Sequence, residues 1–406
     1  MGSKQIIVIG GGAAGFFAAI NCAQKNKNYR VIILEKTSKL LSKVRISGGG
    51  RCNVTHSCFD NGLLVKNYPR GEKELRNVFS RFTTTNTVEW FEERGIQLKT
   101  EPDGRMFPTS NNSETIVNCL MYQAEQHNIE IKLNTDIEEI IKNTNGTFTL
   151  KIKENNTIKC DAVIIATGGN AKESGYYWLK KTGHTIKKPV PSLFSFNIPN
   201  NSITQLMGVS VPQAKVKIKG TNLEITGPLL ITHWGLSGPA VLKTSAWGAR
   251  ELNDLNYNYT AFINWLPKFT EEKLRIEFAN QQLENAPKLV ISNTYFELPK
   301  RLWEHLVTKA GIPENTRWAD LSKKQMNVLI NTLLNDEYSV QGKTTFKEEF
   351  VTCGGVNLKE IDLTTMQSKL VPNLFFAGEV IDVDGITGGF NFQNAWSTAW
   401  VASQNV

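Results

Sequence analysis

The chain has 406 residues, 40% of them hydrophobic and 21% charged, with a net charge of +8. That length and composition build buried cores in two or three domains, which excludes collagen-like and mostly disordered architectures. No apolar run reaches the ~20 residues of a membrane-spanning helix. Six cysteines, none spaced CxxC, are too few for a disulfide scaffold and read as reduced thiols of a cytoplasmic protein. The basic surplus is spread thinly. The pairs Lys180–Lys181, Lys187–Lys188 and Lys323–Lys324 stand apart, so charge alone does not point to nucleic acid.

Gln5–Ile9 is a β-branched run of the kind a buried parallel strand requires. GGGAAG follows, with Gly10, Gly12 and Gly15 in the spacing GxGxxG, and then an apolar stretch from Ala13 to about Gln24 that predicts a helix. A second strand, Tyr29–Leu34, ends at Glu35, twenty residues after Gly15. In this order each part has a job. Gly10 permits the tight turn, Gly12 lets backbone approach a pyrophosphate, and Gly15 lets the helix pack on the strand. The helix start at Ala13 and Ala14 offers N–H groups to phosphate. Glu35, followed by Lys36, can accept from both hydroxyls of an adenosine ribose, which favours FAD or NAD over NADP.

Three later segments choose between FAD and NAD. Ser47–Asn53, SGGGRCN, is too glycine-rich for an ordinary helix start, and its backbone can approach a flat ring closely. Within it Gly49, Gly50, Arg51, Cys52 and Asn53 are candidate contacts, with Arg51 and Asn53 offering polar groups to a ring edge or substrate. Strand-like hairpin material at Gly146–Lys153 and Thr157–Lys159 precedes a buried strand ending in Ala166-Thr167-Gly168-Gly169. An antiparallel crossover and return strand of this kind is a habit of flavin-binding Rossmann domains. Ile137, ahead of the crossover, joins the cofactor-binding candidates with Ala166, Thr167 and Gly168. Near the C-terminus Leu374–Ala377 reads as a strand. Gly378 and Glu379 follow where glutathione-reductase-type FAD domains place an acid on the ribityl chain. Gly388 and Gly389 then open a predicted helix, Phe390–Ser403, whose first N–H groups at Phe390 and Asn391 suit the charge of a reduced flavin.

Taken together, GGGAAG, SGGGRCN, GRMFPTS (Gly104–Ser110), ATGG, THWGLSGPAVL (Thr232–Leu242) and AGEVIDVDGITGGFNFQNAWS (Ala377–Ser397) resemble a bacterial flavoprotein family of NAD(P)/FAD-dependent oxidoreductases, which includes aminoacetone-oxidase-like proteins and a flavoprotein linked to bile-acid metabolism. The resemblance runs across nearly the whole chain. It implies non-covalent FAD on a Rossmann domain with an inserted domain. The electron donor stays open between NAD(P)H docking transiently and a substrate that reduces the flavin, with O2 reoxidising it. The segment Asn170–His184 departs from the family pattern, being poorer in Gly and Pro.

The expected fold class is α/β: a glutathione-reductase-like Rossmann FAD domain of residues 1–188 and 343–406, interrupted by an insert of 189–342. In the insert, strand-like runs at Ser192–Ile198, Ala214–Lys219, Leu223–Ile225, Leu229–Thr232 and Tyr257–Trp265 make 189–267 an antiparallel sheet or barrel. Apolar residues at helical spacing make 268–342 helical, over Glu271–Gln282, Lys300–Ala310 and Leu321–Asn335. Substrate is expected to enter between the two domains.

The expected activity is hydride transfer between flavin N5 and a small amine, ketone or enone. Flavin does the redox work, so no catalytic residue is assigned. His233, Trp234, Ser237, Arg105 and Tyr177 are plausible substrate contacts. Two alternatives stand beside this reading. One is an NAD(P)H-dependent disulfide reductase using Cys52 and Cys58. Five residues separate that pair where those enzymes have four, and on a helix it would be turned about 240° and ~9 Å apart. The other is an FAD-binding tRNA-modifying or sensor protein.

Overall fold

The computed structural model describes residues 4–153, 156–292, 296–345 and 351–406. The chain divides into two compact units, Met1–Ser192 with Phe346–Val406, and Leu193–Thr345.

The first unit is organised by a seven-stranded sheet whose parallel part runs, in spatial order, Leu374–Phe376, Ala162–Ile165, Gln5–Ile9, Arg30–Leu34 and Glu130–Lys132. Two short strands, Ile361–Asp362 and Gln367–Ser368, extend it antiparallel beyond Leu374–Phe376. Ile6, Ile7, Val8 and Ile9 are all buried, as a strand covered on both faces must be. Helix Ala13–Lys25 packs against the C-terminal helix Phe390–Asn405, with the rings of Phe17 and Trp396 5.2 Å apart. The crossover is as the sequence implies. Ile137–Lys142, Phe148–Ile152 and Asn156–Cys160 form a separate antiparallel sheet before the chain returns to pair beside the first strand.

The second unit holds a seven-stranded antiparallel sheet in the order Asp336–Gln341, Asn258–Asn264, Ser210–Ile218, Glu224–Thr232, Gly235–Ser237, Ser195–Asn197, Lys343–Thr344. The two edges are one stretch of chain kinked at Gly342 (φ +89°), which gives the sheet a barrel-like closure. Helices Glu271–Glu284, Lys300–Lys309 and Lys323–Leu334 cover it, and Leu274, Phe278, Trp303, Leu306, Leu329 and Leu333 share its core. A capping box at Ser322 and Gln325 starts the last of these helices.

Three details differ from the sequence reading. The runs expected at Leu223–Ile225 and Leu229–Thr232 merge into one strand, Glu224–Thr232, with a bulge between Val211 and Ala214 opposite the turn-like Gly227-Pro228. Helices Pro239–Trp247 and Ala249–Asp254 sit inside 189–267, the region expected to form an antiparallel sheet or barrel. Residues 268–342 are not helical throughout, since Asp336–Gln341 is a strand that buries alternate residues. Its first inward residue is an aspartate, which hides the apolar alternation. Asp336 tolerates burial because Trp265 Nε1 (3.0 Å), the Tyr338 hydroxyl (2.5 Å) and Lys309 Nζ all donate to it.

Candidate functional site

The glycine turn is built as its spacing requires. Gly10 has φ +114°, and a methyl there would overlap the Ala166 carbonyl. A methyl on Gly15 would overlap the Gly10 carbonyl oxygen. Gly12 is different, because nothing lies within 4 Å of the place a Cβ would take. It stands at the N-cap of helix Ala13–Lys25, whose first turn has no acidic residue and no side-chain cap. The uncapped N–H groups at Ala13 and Ala14 carry positive partial charge next to that open space, the setting an anionic phosphate needs. Gly168 (φ +72°), after Ala166 and Thr167, also faces open space. Gly378 abuts the Ala14 methyl, which bounds the turn on another side.

Glu35 occupies the end of the second strand. Its Oε2 accepts from the Gly11 N–H (2.8 Å), and its Oε1 from the Thr37 N–H (2.9 Å) and hydroxyl (2.8 Å). A carboxylate has about four acceptor positions, so one remains. A second is released if the Thr37 hydroxyl turns wholly to its other acceptor, the Lys39 carbonyl (3.3 Å). Both ribose hydroxyls can be met in this way. Lys36 beside it is exposed. The segment leading to Ile137 lies alongside, with the Thr135 N–H donating to the Glu35 carbonyl (2.8 Å). Glu35→Ala is expected to weaken FAD binding roughly 10- to 100-fold, the worth of hydrogen bonds to a charged group. Glu284→Ala, at the exposed end of a second-unit helix, leaves it unchanged. Titration of apoprotein with FAD by fluorescence quenching checks both.

SGGGRCN forms a second glycine turn. The segment Ser42–Gly50 leaves helical geometry at Ser47 (ψ 147°), and Gly48, Gly49 and Gly50 have φ +59°, +69° and +82°. Gly48 is hemmed in by Phe107, whereas Gly49 and Gly50 face open space. Arg51 and Asn53 are engaged with the protein itself. Arg51 pairs with Glu101 (2.5 Å) and lies 4.0 Å from the Phe107 ring centre. The Asn53 amide donates to the Thr55 carbonyl (3.0 Å) and accepts from the Gly389 N–H (2.9 Å). Asn53 thus ties the glycine loop to the start of the C-terminal helix, a contact between motifs that sequence spacing could not reveal.

That helix start resembles the first. Gly389 (φ +96°) is the N-cap of Phe390–Asn405, without side-chain cap or acid in the first turn. Gly388 (φ +129°) lies against the rings of Phe390 and His56, and those two rings stack 4.7 Å apart. The Asn391 amide both donates to and accepts from Gly385 backbone (2.9 Å each). Glu379 accepts from Lys43 Nζ (2.7 Å) and from the Thr352 N–H (2.8 Å). Thr352 and Lys43 were not singled out by the sequence. The glycine pair at Gly354-Gly355 was the available signal for Thr352, since both carry positive φ and press against neighbouring backbone.

The five proposed substrate contacts are distributed. Arg105 is paired with Asp103 (2.7 Å) and Glu101 (3.2 Å), and Tyr177 is 56% exposed; both are in the first unit. His233, Trp234 and Ser237 belong to the second unit, with Ser237 accepting from the Ser195 hydroxyl (2.7 Å). Cys52 is fully buried, and burial pushes its thiol up to about 12. The Cys58 thiol is raised by burial and by Asp60. A redox pair needs an accessible thiolate, so this environment opposes the disulfide-reductase alternative.

A Rossmann sheet that closes with a returning Gly-Glu strand and a glycine-opened helix, around two uncapped helix starts, defines a flavoprotein oxidoreductase. The chain belongs to the HI0933-like family, whose model, described as "HI0933-like protein Rossmann domain", matches residues 4–405. It is 33% identical to the ribosomal RNA dihydrouridine synthase of Escherichia coli, over 98% of this chain and 97% of that one. It is 27% identical to the 3-dehydro-bile acid delta(4,6)-reductase of Clostridium scindens, over 99% and 98%. In fold it is similar to the 3-ketosteroid delta1-dehydrogenase of Sterolibacterium denitrificans, with a TM-score of 0.54 and 12% identity over 100% of this chain and 99% of that one. Among the described residues no helix is long and apolar enough to cross a membrane.

Proposed function

We propose that the chain binds FAD non-covalently and reduces a carbon–carbon double bond conjugated to a carbonyl, and that its substrate is a uracil ring in ribosomal RNA. The cradle fits an extended dinucleotide: open space at Gly12, Gly49, Gly50 and Gly168, an acid with acceptor positions to offer, and two uncapped helix starts. Bound there, reduced flavin would supply a hydride to the electron-poor carbon, with a proton from solvent completing the reduction at its neighbour. The residues of this chain do the rest. The Gly10–Gly15 turn would hold phosphate, Glu35 would orient the ribose, and Glu379 and Lys43 would meet the polyol chain. The start of helix Phe390–Asn405 favours negative charge beside it.

The observation that carries the substrate class is the chemistry shared by the near-full-length relatives. A dihydrouridine synthase saturates the uracil double bond next to its carbonyl, and a delta(4,6)-reductase of a 3-dehydro bile acid acts on an enone. The amine part of the expected substrate range has no such support. RNA is favoured over a small enone because two relatives, 33% and 30% identical, carry the RNA name.

The test is anaerobic stopped-flow. NADH and NADPH are each mixed with the yellow protein to find which bleaches the flavin. The reduced protein is then mixed with unmodified ribosomal RNA transcript, free uridine and a steroid dienone. Flavin reoxidation by the transcript, with two hydrogens gained by one uridine in mass spectrometry, is expected. Reoxidation by the dienone alone would replace RNA with a small enone, and reoxidation by none of them would end the proposal.

A further inference from the structure

Half of the net charge falls in one segment that looks ordinary in the sequence. Residues 172–188, seventeen of 406, hold five lysines (Lys172, Lys180, Lys181, Lys187 and Lys188) against one acid, Glu173. That is a surplus of four in a chain whose net charge is +8. All five lysines are exposed. The turn Glu173–Tyr176 packs against strand Ile186–Ser192, so two lysine pairs that look isolated in the sequence leave one piece of structure.

The inward residues make that piece firm. Tyr176, Leu179 and His184 are buried. The Tyr176 hydroxyl accepts from the Asn170 N–H (2.8 Å), and the His184 ring meets the Ser368 hydroxyl (2.7 Å). Facing out is Tyr177, 56% exposed, with Lys180 Nζ 5.5 Å from its ring centre. Glu173 is spent on Lys180. Two other acids reach the strip: Glu139 near Lys181, which has its own partner in Lys151 (2.7 Å), and Glu360, which accepts from the Thr185 N–H (2.8 Å). An exposed aromatic among lysines that outnumber their acids is the combination that binds a single-stranded polyanion. The cations take phosphates, and the ring stacks a base.

The strip also begins at the cradle. Gly168 faces the open space described above, Gly169 lies against Glu379 and Thr352, and Lys172 follows three residues later. We infer that residues 172–188 are the surface on which single-stranded RNA docks, bringing an unstacked base toward the flavin end of the cradle. The inference rests on the RNA reading above and adds to it the place where the RNA is held. A uracil inside a folded RNA must leave its stack to be reduced, and a lysine–tyrosine strip next to the cradle is suited to hold the strand while it does.

The test is fluorescence anisotropy of the flavin-loaded protein with a labelled ribosomal RNA loop transcript across a range of KCl. Wild-type affinity is expected to fall steeply with salt. Lys180→Gln with Lys181→Gln, or Lys187→Gln with Lys188→Gln, should each flatten the log–log salt slope by about 1.5, as loss of two phosphate contacts requires. Tyr177→Ala should weaken binding at least about fivefold with the slope unchanged. Lys323→Gln with Lys324→Gln should match wild type, and flavin absorbance with a thermal melt checks that each variant is folded. Steep wild-type binding that the strip variants leave intact would overturn the docking surface and spare the RNA reading. A wild-type protein with no salt-dependent RNA affinity would overturn both. Strip-dependent binding to phosphatidylserine vesicles without RNA binding would overturn the partner.

Discussion

Gly15→Ala is expected to destabilise the apoprotein by about 3 kcal/mol or more, whereas Gly12→Ala leaves its stability unchanged and abolishes tight flavin binding. The two glycines are three residues apart in one motif, and their surroundings are opposite. A methyl on Gly15 would overlap the Gly10 carbonyl oxygen and lie 3.0 Å from its carbon. Both belong to the backbone joining the central strand to the helix, so the overlap is relieved only by moving the helix off the sheet. Core overpacking costs ~1–3 kcal/mol where side chains can give, and more where they cannot. A methyl on Gly12 meets nothing within 4 Å, and its φ of −96° suits any residue. That empty volume is what a pyrophosphate would fill, so the same methyl excludes the ligand. A fall in flavin affinity of at least roughly 100-fold is expected, about 2.8 kcal/mol at 1.4 kcal/mol per decade. Urea melts of the apoproteins and FAD titrations separate the effects. Normal FAD affinity in Gly12→Ala would place the dinucleotide elsewhere.

What the sequence reveals here is local geometry with an obligatory residue type. Gly10, Gly12 and Gly15 are legible because positive φ, close approach and open space each demand the absence of a side chain. The buried strands are legible because a parallel strand covered on both faces is continuously apolar, as Ile6–Ile9 is. What stays hidden is the pairing of polar residues distant in sequence. Arg51 and Asn53 look like ligand contacts because each has hydrogen-bonding capacity to spend. Only the fold reveals that Glu101 and Gly389 take it up. Asp336 hides a strand for the same reason, since a buried carboxylate is acceptable only once Lys309, Trp265 and Tyr338 surround it. The lysines of 172–188 are plain in the sequence, but their concentration on one piece of structure depends on a turn packing against a strand.

The second large effect is expected at Asp384, which the sequence reading passed over inside the DVDG segment. Its carboxylate is fully buried and receives both arms of Arg70, through Nε (2.6 Å) and a terminal nitrogen, and the Ser192 hydroxyl (2.7 Å). Burial pushes the carboxyl above its ordinary value, with Arg70 and Ser192 pulling it back. Arg70 is itself largely buried, and its neighbours hold the other end of the same loop. Asn67 accepts from the Ile386 N–H (2.9 Å), and the Tyr68 hydroxyl donates to the Phe390 carbonyl (2.7 Å). The pair therefore clamps segment 67–70 to the loop that ends in Gly388-Gly389 and the C-terminal helix start. Asp384→Asn keeps the shape and leaves the guanidinium facing a neutral amide, which should cost about 3–5 kcal/mol in urea denaturation. Arg70→Met with Asp384→Leu removes both charges together and should recover most of that loss, because the desolvation cost disappears with the attraction. If the pair serves only stability, the double variant binds FAD as wild type does. If it also fixes the loop, the recovered stability comes with weaker FAD binding and an altered reduction potential. We expect the second outcome. The Asn391 amide holds Gly385, the Asn53 amide holds Gly389 and the Asp382 N–H donates to the Val356 carbonyl (3.0 Å), so the ion pair is the tie at Asp384 itself.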